Sequence, residues 1–365
     1  MKASTTVFRL AVVASLVASA IPATSAQFTP GDLVVYRVGT GAGSLGSAAA
    51  AVFFDEYNLL GTRLQSVALP STGASALTAV GNDTTEGILS MSQDGTKLVF
   101  TGYRADAGTA NPSASDPATV NRVIGTIGLG ATPDTSVALT DPNGTIRSAT
   151  STDASSLFYA GTSTGLRYVA SPSGASTTTL IDSRNTRETL VRGNTLFGSS
   201  TLAGNTSKIL SYGNLPVGAT VGTPAVVQGI TDTINGYAMF DLSPIVAGPD
   251  TIYALSTVQN KLYKYTYNGT SWASSGSMGA SGALNIGGVS TNGSSVNLFL
   301  TSASTLFSEY DASGYNATIS GTLTTLATAG ANTAFRGVAL IPEPSTISLG
   351  LLAAGTLLAL RRRRS

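Results

Sequence analysis

The stretch DSRNTRETLVRGN, residues 182–194, concentrates Arg184, Arg187 and Arg192 beside Asp182 and Glu188. A guanidinium is a planar fork of N–H donors that matches a carboxylate. The stretch is therefore a candidate polar rim for an acidic sugar or another carboxylate. Its competing reading is a solvated loop holding ion pairs of its own. The densest aromatic group is KLYKYTYNGTSW, with Tyr263, Tyr265, Tyr267 and Trp272. Tyrosines two apart share one face of a strand, so the three rings form either a stacking platform for sugar rings or ordinary strand-face packing.

The remaining acids give little chemistry. Asp94 in SQDGT, Asp153 in STDAS and Asp250 in GPDT recur where a strand turns back. A carboxylate there accepts backbone N–H bonds and caps the turn. Glycoside hydrolysis needs two carboxylates roughly 5 to 10 Å apart, and sequence alone pairs none of these acids. The chain has no histidine and no cysteine, which excludes disulfides, thiolate nucleophiles, Ser-His-Asp chemistry and zinc held by imidazole or thiolate. No D-x-D-x-D-G calcium loop is present. No catalytic residue, metal ligand or cofactor is assigned.

Short strands must position these residues. Hydrophobic residues make up 42% of the 365-residue chain, enough for a core, while charged residues are only 11% and glycines number 41. That composition suits strands and tight turns better than solvent-exposed helices. Five segments share a plan, at 87–104, 145–171, 187–213, 239–269 and 285–314. Each has a short strand, a polar turn such as Gln93-Asp94-Gly95 or Thr291-Asn292-Gly293, then an aromatic-rich strand and a further strand of alternating bulk, a hairpin pattern. Three to four strands per unit at this spacing predict an all-β fold, a β-propeller. GDLVVYRVG (31–39) and AFRGVALIP (334–342) each look like part of one blade, so the N- and C-terminal strands are expected to share it. Six blades result; a seventh would come from 214–237, and a β-sandwich pair or β-helix is the competing fold.

The ends carry signals. Lys2 and Arg9 precede an apolar run and then small residues up to Ala26, which reads as a helical secretory signal peptide over 1–26, cut after Ala26 by signal peptidase. The run Ile347 to Leu360 is followed by Arg361, Arg362, Arg363 and Arg364. As a helix it is about 21 Å long and spans a bilayer only marginally, with the arginines held on the cytoplasmic side. Pro342, Glu343 and Pro344 stand just before it, an extended handle because proline denies helix to its neighbours. A plain C-terminal anchor is the competing reading.

The order Pro-Glu-Pro, apolar helix, arginine cluster over 341–365 resembles the PEP-CTERM sorting signal. The resemblance implies that a membrane protease of the exosortase type reads Pro342, Glu343 and Pro344 in a transiently inserted precursor. It then passes the body to the cell surface or extracellular matrix. The domain plan is signal peptide 1–26, propeller body 27–341 and sorting segment 342–365. Without the tags 14 basic residues face 18 acidic ones, so the net charge moves from +1 to −4. No basic patch remains for nucleic acid. The expected role is a non-catalytic surface or matrix protein linked to extracellular polysaccharide. The alternative is an extracellular propeller enzyme, a lactonase or glycan lyase, working without histidine.

Overall fold

A computed structural model of the protein describes residues 27–201, 207–219, 224–227, 229–291 and 293–342. Their regular structure is almost wholly strand, with one helical turn, Pro112–Ala114. The helices expected over 1–26 and in the sorting segment beyond Pro342 lie outside the described residues, as do Ala26, Glu343, Pro344 and Arg361 to Arg364. Among the described residues no helix is long and apolar enough to cross a membrane.

Four sheets have four strands each, consecutive partners antiparallel. The first holds β9 (Ile146–Ser151), β10 (Phe158–Thr162), β11 (Gly165–Val169) and β13 (Thr178–Asp182). Next come β14 (Thr186–Arg192), β15 (Thr195–Thr201), β16 (Ser207–Asn214) and β17 (Ala225–Val226). β18 (Gly236–Phe240), β19 (Thr251–Ser256), β20 (Lys261–Tyr267) and β21 (Trp272–Gly279) form the third, and β22 (Asn285–Thr291), β23 (Ser295–Thr301), β24 (Thr305–Asp311) and β25 (Thr324–Thr328) the fourth.

The remaining strands join in one ten-stranded sheet. It contains β1 (Leu33–Val38), β2 (Ala49–Tyr57), β3 (Arg63–Ala68), β4 (Thr78–Val80), β5 (Ser90–Met91), β6 (Leu98–Tyr103), β7 (Arg122–Ile127), β8 (Pro133–Leu139), β12 (Ala175–Ser176) and β26 (Ala334–Leu340). The expectation of six or seven separate blades is therefore corrected to four. The reason is β4, which pairs with both β2 and β6 and fuses strands that would otherwise form sheets of their own. The segment 214–237 adds only the two-residue β17 and the start of β18 among its described residues.

β26 pairs antiparallel with β1, Leu33 facing Leu340 and Val38 facing Ala334. The sheets pack face to face around an axis. Val34, Tyr36 and Phe54 from one half of the ten-stranded sheet meet Phe100 and Val123 from the other, with the Phe54 and Phe100 rings edge-on at 4.7 Å. Apolar clusters likewise bind β6 to β10, β10 to β15, β19 to β23, and β1 and β26 to the β23–β24 sheet. The turn aspartates cap as their positions suggest: Asp94 accepts from Thr96 N, Asp153 from Ser155 and Ser156 N, and Asp250 from Leu242 and Ser243 N.

Candidate functional site: the arginine-lined mouth of the central channel

The innermost strand of each separate sheet, together with β5 and β26, surrounds the axis. Ile88 N donates to Arg147 O and Ser90 Oγ to Ala149 O. Ser148 Oγ donates to Arg187 O, and Val191 N to Thr150 Oγ1. Tyr237 N donates to Glu188 Oε2 at 2.8 Å, and Gly337 N to Gly87 O at 2.9 Å. Residue numbers rise together on both sides of the β5–β9 and β9–β14 junctions, so these inner strands run parallel and begin at the same mouth, where the Gly87–Gly337 contact also places the start of β26.

Glycine makes the tightest junction possible. A Cβ on Gly337 would lie 2.4 Å from Leu89 N and 2.5 Å from Gly87 O, while one on Gly87, at φ +71°, would lie 2.9 Å from Arg336 Cβ. A side chain at either place would push β26 off the ring.

Three inner strands carry arginine at the corresponding place near their start: Arg147 in β9, Arg187 in β14 and Arg336 in β26. Arg147 and Arg336 are buried, and Arg187 is half-buried. The β14–β15 register slips between Thr186 and Thr189, a bulge at Arg187 and Glu188 of the kind that re-aims side chains. Arg336 gives Nη2 to Gly81 O and Nη1 to Phe335 O, each at 2.9 Å, but its Nε has no partner. Arg147 Nε and Nη1 have none either. Burial, and then the neighbouring Arg187, push the Arg147 guanidinium down to about 10.

Two carboxyls lie close. Asp83, half-exposed in the loop before β5, is within electrostatic reach of all three arginines. Glu86 is buried, accepts from Tyr103 Oη at 2.7 Å and Val80 N at 3.0 Å, and is pushed up to about 8 chiefly by burial. Deeper in the channel is a cavity of about 80 Å³ between Leu89, Glu188, Leu190, Tyr237, Met239 and Val338. Glu188 is the one carboxyl on its wall; burial pushes it up to about 8 against the opposing hydrogen bond from Tyr237 N. Among the described residues no cluster of three or more acids is placed to hold a metal ion.

The arginines singled out from sequence separate. Arg187 reaches the mouth, Arg192 lines the cavity towards the other end of β14, and Arg184 pairs with Asp182 Oδ2 at 2.7 Å outside the ring. Sequence reasoning missed Arg147 and Arg336; aligning the first strands TIRSAT, NTRETL and AFRGVA would have found them. In β20, Tyr263 and Tyr265 are buried and stacked at 6.0 Å, and the Tyr265 hydroxyl donates to Asp232. Tyr267 and Trp272 are half-buried with ring centroids 5.3 Å apart. Pro342 is half-buried just past β26.

No protein-family model and no curated protein sequence matches the chain. Among solved structures it is similar to a proposed 6-phosphogluconolactonase from Bacteroides fragilis (12% identity, 82% of each chain, TM-score 0.46). It is also similar to the periplasmic gluconolactonase PpgL of Pseudomonas aeruginosa (9% identity, 82% of this chain and 83% of that one, TM-score 0.44). A third is the β-propeller domain of Cps50 (Swd1) from Myceliophteria thermophila (9% identity, 84% and 96%, TM-score 0.42). At these identities and TM-scores the likeness carries no statement about activity.

Proposed function

We propose that this is an exported surface or matrix protein that binds extracellular polysaccharide at the mouth of its channel, without catalysis. The observation that carries the reading is the set Arg147, Arg187 and Arg336 at one mouth, above a cavity whose wall holds a single carboxyl.

Export rests on the signal-like N-terminus and on the Pro342-Glu343-Pro344 segment, with signal peptidase and an exosortase-type protease as processing partners. Intact mass of the protein taken from its host surface tests it: the expected species lacks Arg361 to Arg364, and their retention leaves a tail anchor instead. Binding is tested by retention on the host's exopolysaccharide and on a glycan array; no retention on either overturns the binding reading. The enzyme alternative has Glu188 as its acid or base, since it is the titratable carboxyl in the channel. Turnover of gluconolactone that Glu188→Gln abolishes would replace binding by catalysis.

A further inference from the structure

We infer that the channel mouth recognises one carboxylate, that of an acidic sugar at the end of a glycan chain; this rests on the polysaccharide-binding reading above. The argument starts from how the molecule treats its other buried arginines. Arg122, fully buried, donates to the carbonyls of Ser113, Ser115, Val120 and Gly144. Arg37 forks onto Asp55, with Nε to Oδ2 at 2.6 Å and Nη2 to Oδ1 at 3.2 Å. Leaving such a donor buried and unpaired costs about 1 to 3 kcal/mol, more for a charged group, and native interiors avoid it.

Arg147 and Arg336 depart from the pattern of Arg122 and Arg37. Arg147 leaves Nε and Nη1 unpaired and Arg336 leaves Nε, and neither forms an ion pair among the described residues. These arginines belong to β9 and β26, which flank the 86–90 segment, and Arg187 continues the arc on β14. Asp83 and Glu86 lie within electrostatic reach, but among the described residues neither forms a hydrogen-bonded ion pair with these arginines. Glu86 is already held by Tyr103 and Val80, and Asp83 turns its Oδ1 to Thr85. An anion is what the arc lacks.

Three features select the kind of anion. Arg147 Nε and Nη1 and Arg336 Nε are donors without an acceptor, and a carboxylate supplies two oxygens with about four acceptor sites. The body carries net charge −4 over 27–341, which repels a densely sulfated or phosphorylated polymer at long range and leaves a sparsely charged one as the better partner. The cavity below the mouth is only about 80 Å³, too small to thread a polysaccharide, so a chain end is what the mouth admits.

The test is calorimetric titration of the protein with trigalacturonate, its fully methyl-esterified form, cellotriose and inorganic sulfate, for wild type and for Arg147→Met and Arg147→Lys. Trigalacturonate should bind, the ester and cellotriose at least tenfold more weakly. Arg147→Met should abolish binding with no loss of thermal stability, because it removes an unpaired buried charge. Arg147→Lys, which keeps the charge but not the fork, should bind at least tenfold more weakly and serves if the Met variant misfolds. Equal binding of acid and ester overturns the carboxylate inference and leaves the polysaccharide reading standing. Sulfate binding as tightly as trigalacturonate, or Arg147 variants binding as wild type, also overturns it. Failure of every oligosaccharide, together with no retention on exopolysaccharide, removes both.

Discussion

Replacing Glu188 by glutamine isolates the energetic consequence of placing a carboxyl inside the channel. In the folded protein burial pushes Glu188 up to about 8, against an ordinary value of 4.5. Between those values the unfolded chain has lost a proton that the folded chain keeps, so stability falls as pH rises and the loss is complete above the folded value. At 1.36 kcal/mol per pKa unit, the decline between pH 5 and pH 9 is about 4 kcal/mol for this one group. Glutamine has the shape of the protonated acid, its Oε1 can accept the N–H of Tyr237, and it has no proton to lose. A fixed offset from the extra amide donor shifts both pH values alike and leaves the slope untouched. Urea unfolding at pH 5, 7 and 9 should therefore show Glu188→Gln losing about 4 kcal/mol less than wild type across that range. Glu86, also pushed up to about 8, keeps a residual pH dependence in both proteins. Equal slopes for the two proteins would refute the argument, since they would mean that Glu188 is already ionised in the folded channel.

Three further outcomes follow from the packing. Lys264 is fully buried in β20 and donates to Asp311 Oδ2 at 2.8 Å on the neighbouring sheet, so Lys264→Met should cost about 3 to 5 kcal/mol; a change under 1 kcal/mol in urea unfolding would show the pair to be dispensable. Trp272, half-buried against Tyr267, should cost about 2 kcal/mol on truncation to alanine, below the ~3 to 5 of a buried ring, as read by thermal unfolding beside a polysaccharide retention assay. Gly337→Ala places a methyl 2.4 Å from Leu89 N, so it should lower stability by about 3 kcal/mol, and an unchanged melting temperature would mean that the β26 junction can widen.

Much of the strand content and the pairing of 334–340 with 33–38 could be read from sequence, because hairpin turns such as Gln93-Asp94-Gly95 and the alternation in Leu262-Tyr263-Lys264-Tyr265 are local signals. Sheet count was not local. It depends on Thr78–Val80, three residues of no distinctive pattern that bridge β2 and β6. The candidate site shows the same division. Arg187 stood out because its neighbours in sequence are charged, whereas Arg147 and Arg336 sit alone in Ser, Thr and Ala surroundings and gain meaning only when parallel inner strands bring their first residues together. Nothing local marks Lys264 as an inside residue: it meets Tyr253, Asp311, Ser313 and Gly314 there, and a partner 47 residues away in sequence leaves no local trace.

The pairing of Leu33 with Leu340 also fixes an order of events in the life of the chain. β1 emerges first and is hydrogen-bonded to β2 early, but its other edge has no partner until β26 has been made. Through that interval the edge is open to any extended segment it meets, including another copy's. The ring is thus completed by a contact of long sequence separation, the kind that forms slowly. Gly337 and Gly87 keep that last gap narrow, so that β26, bare of side chain at its crossing point, fits where a strand with a side chain there would not.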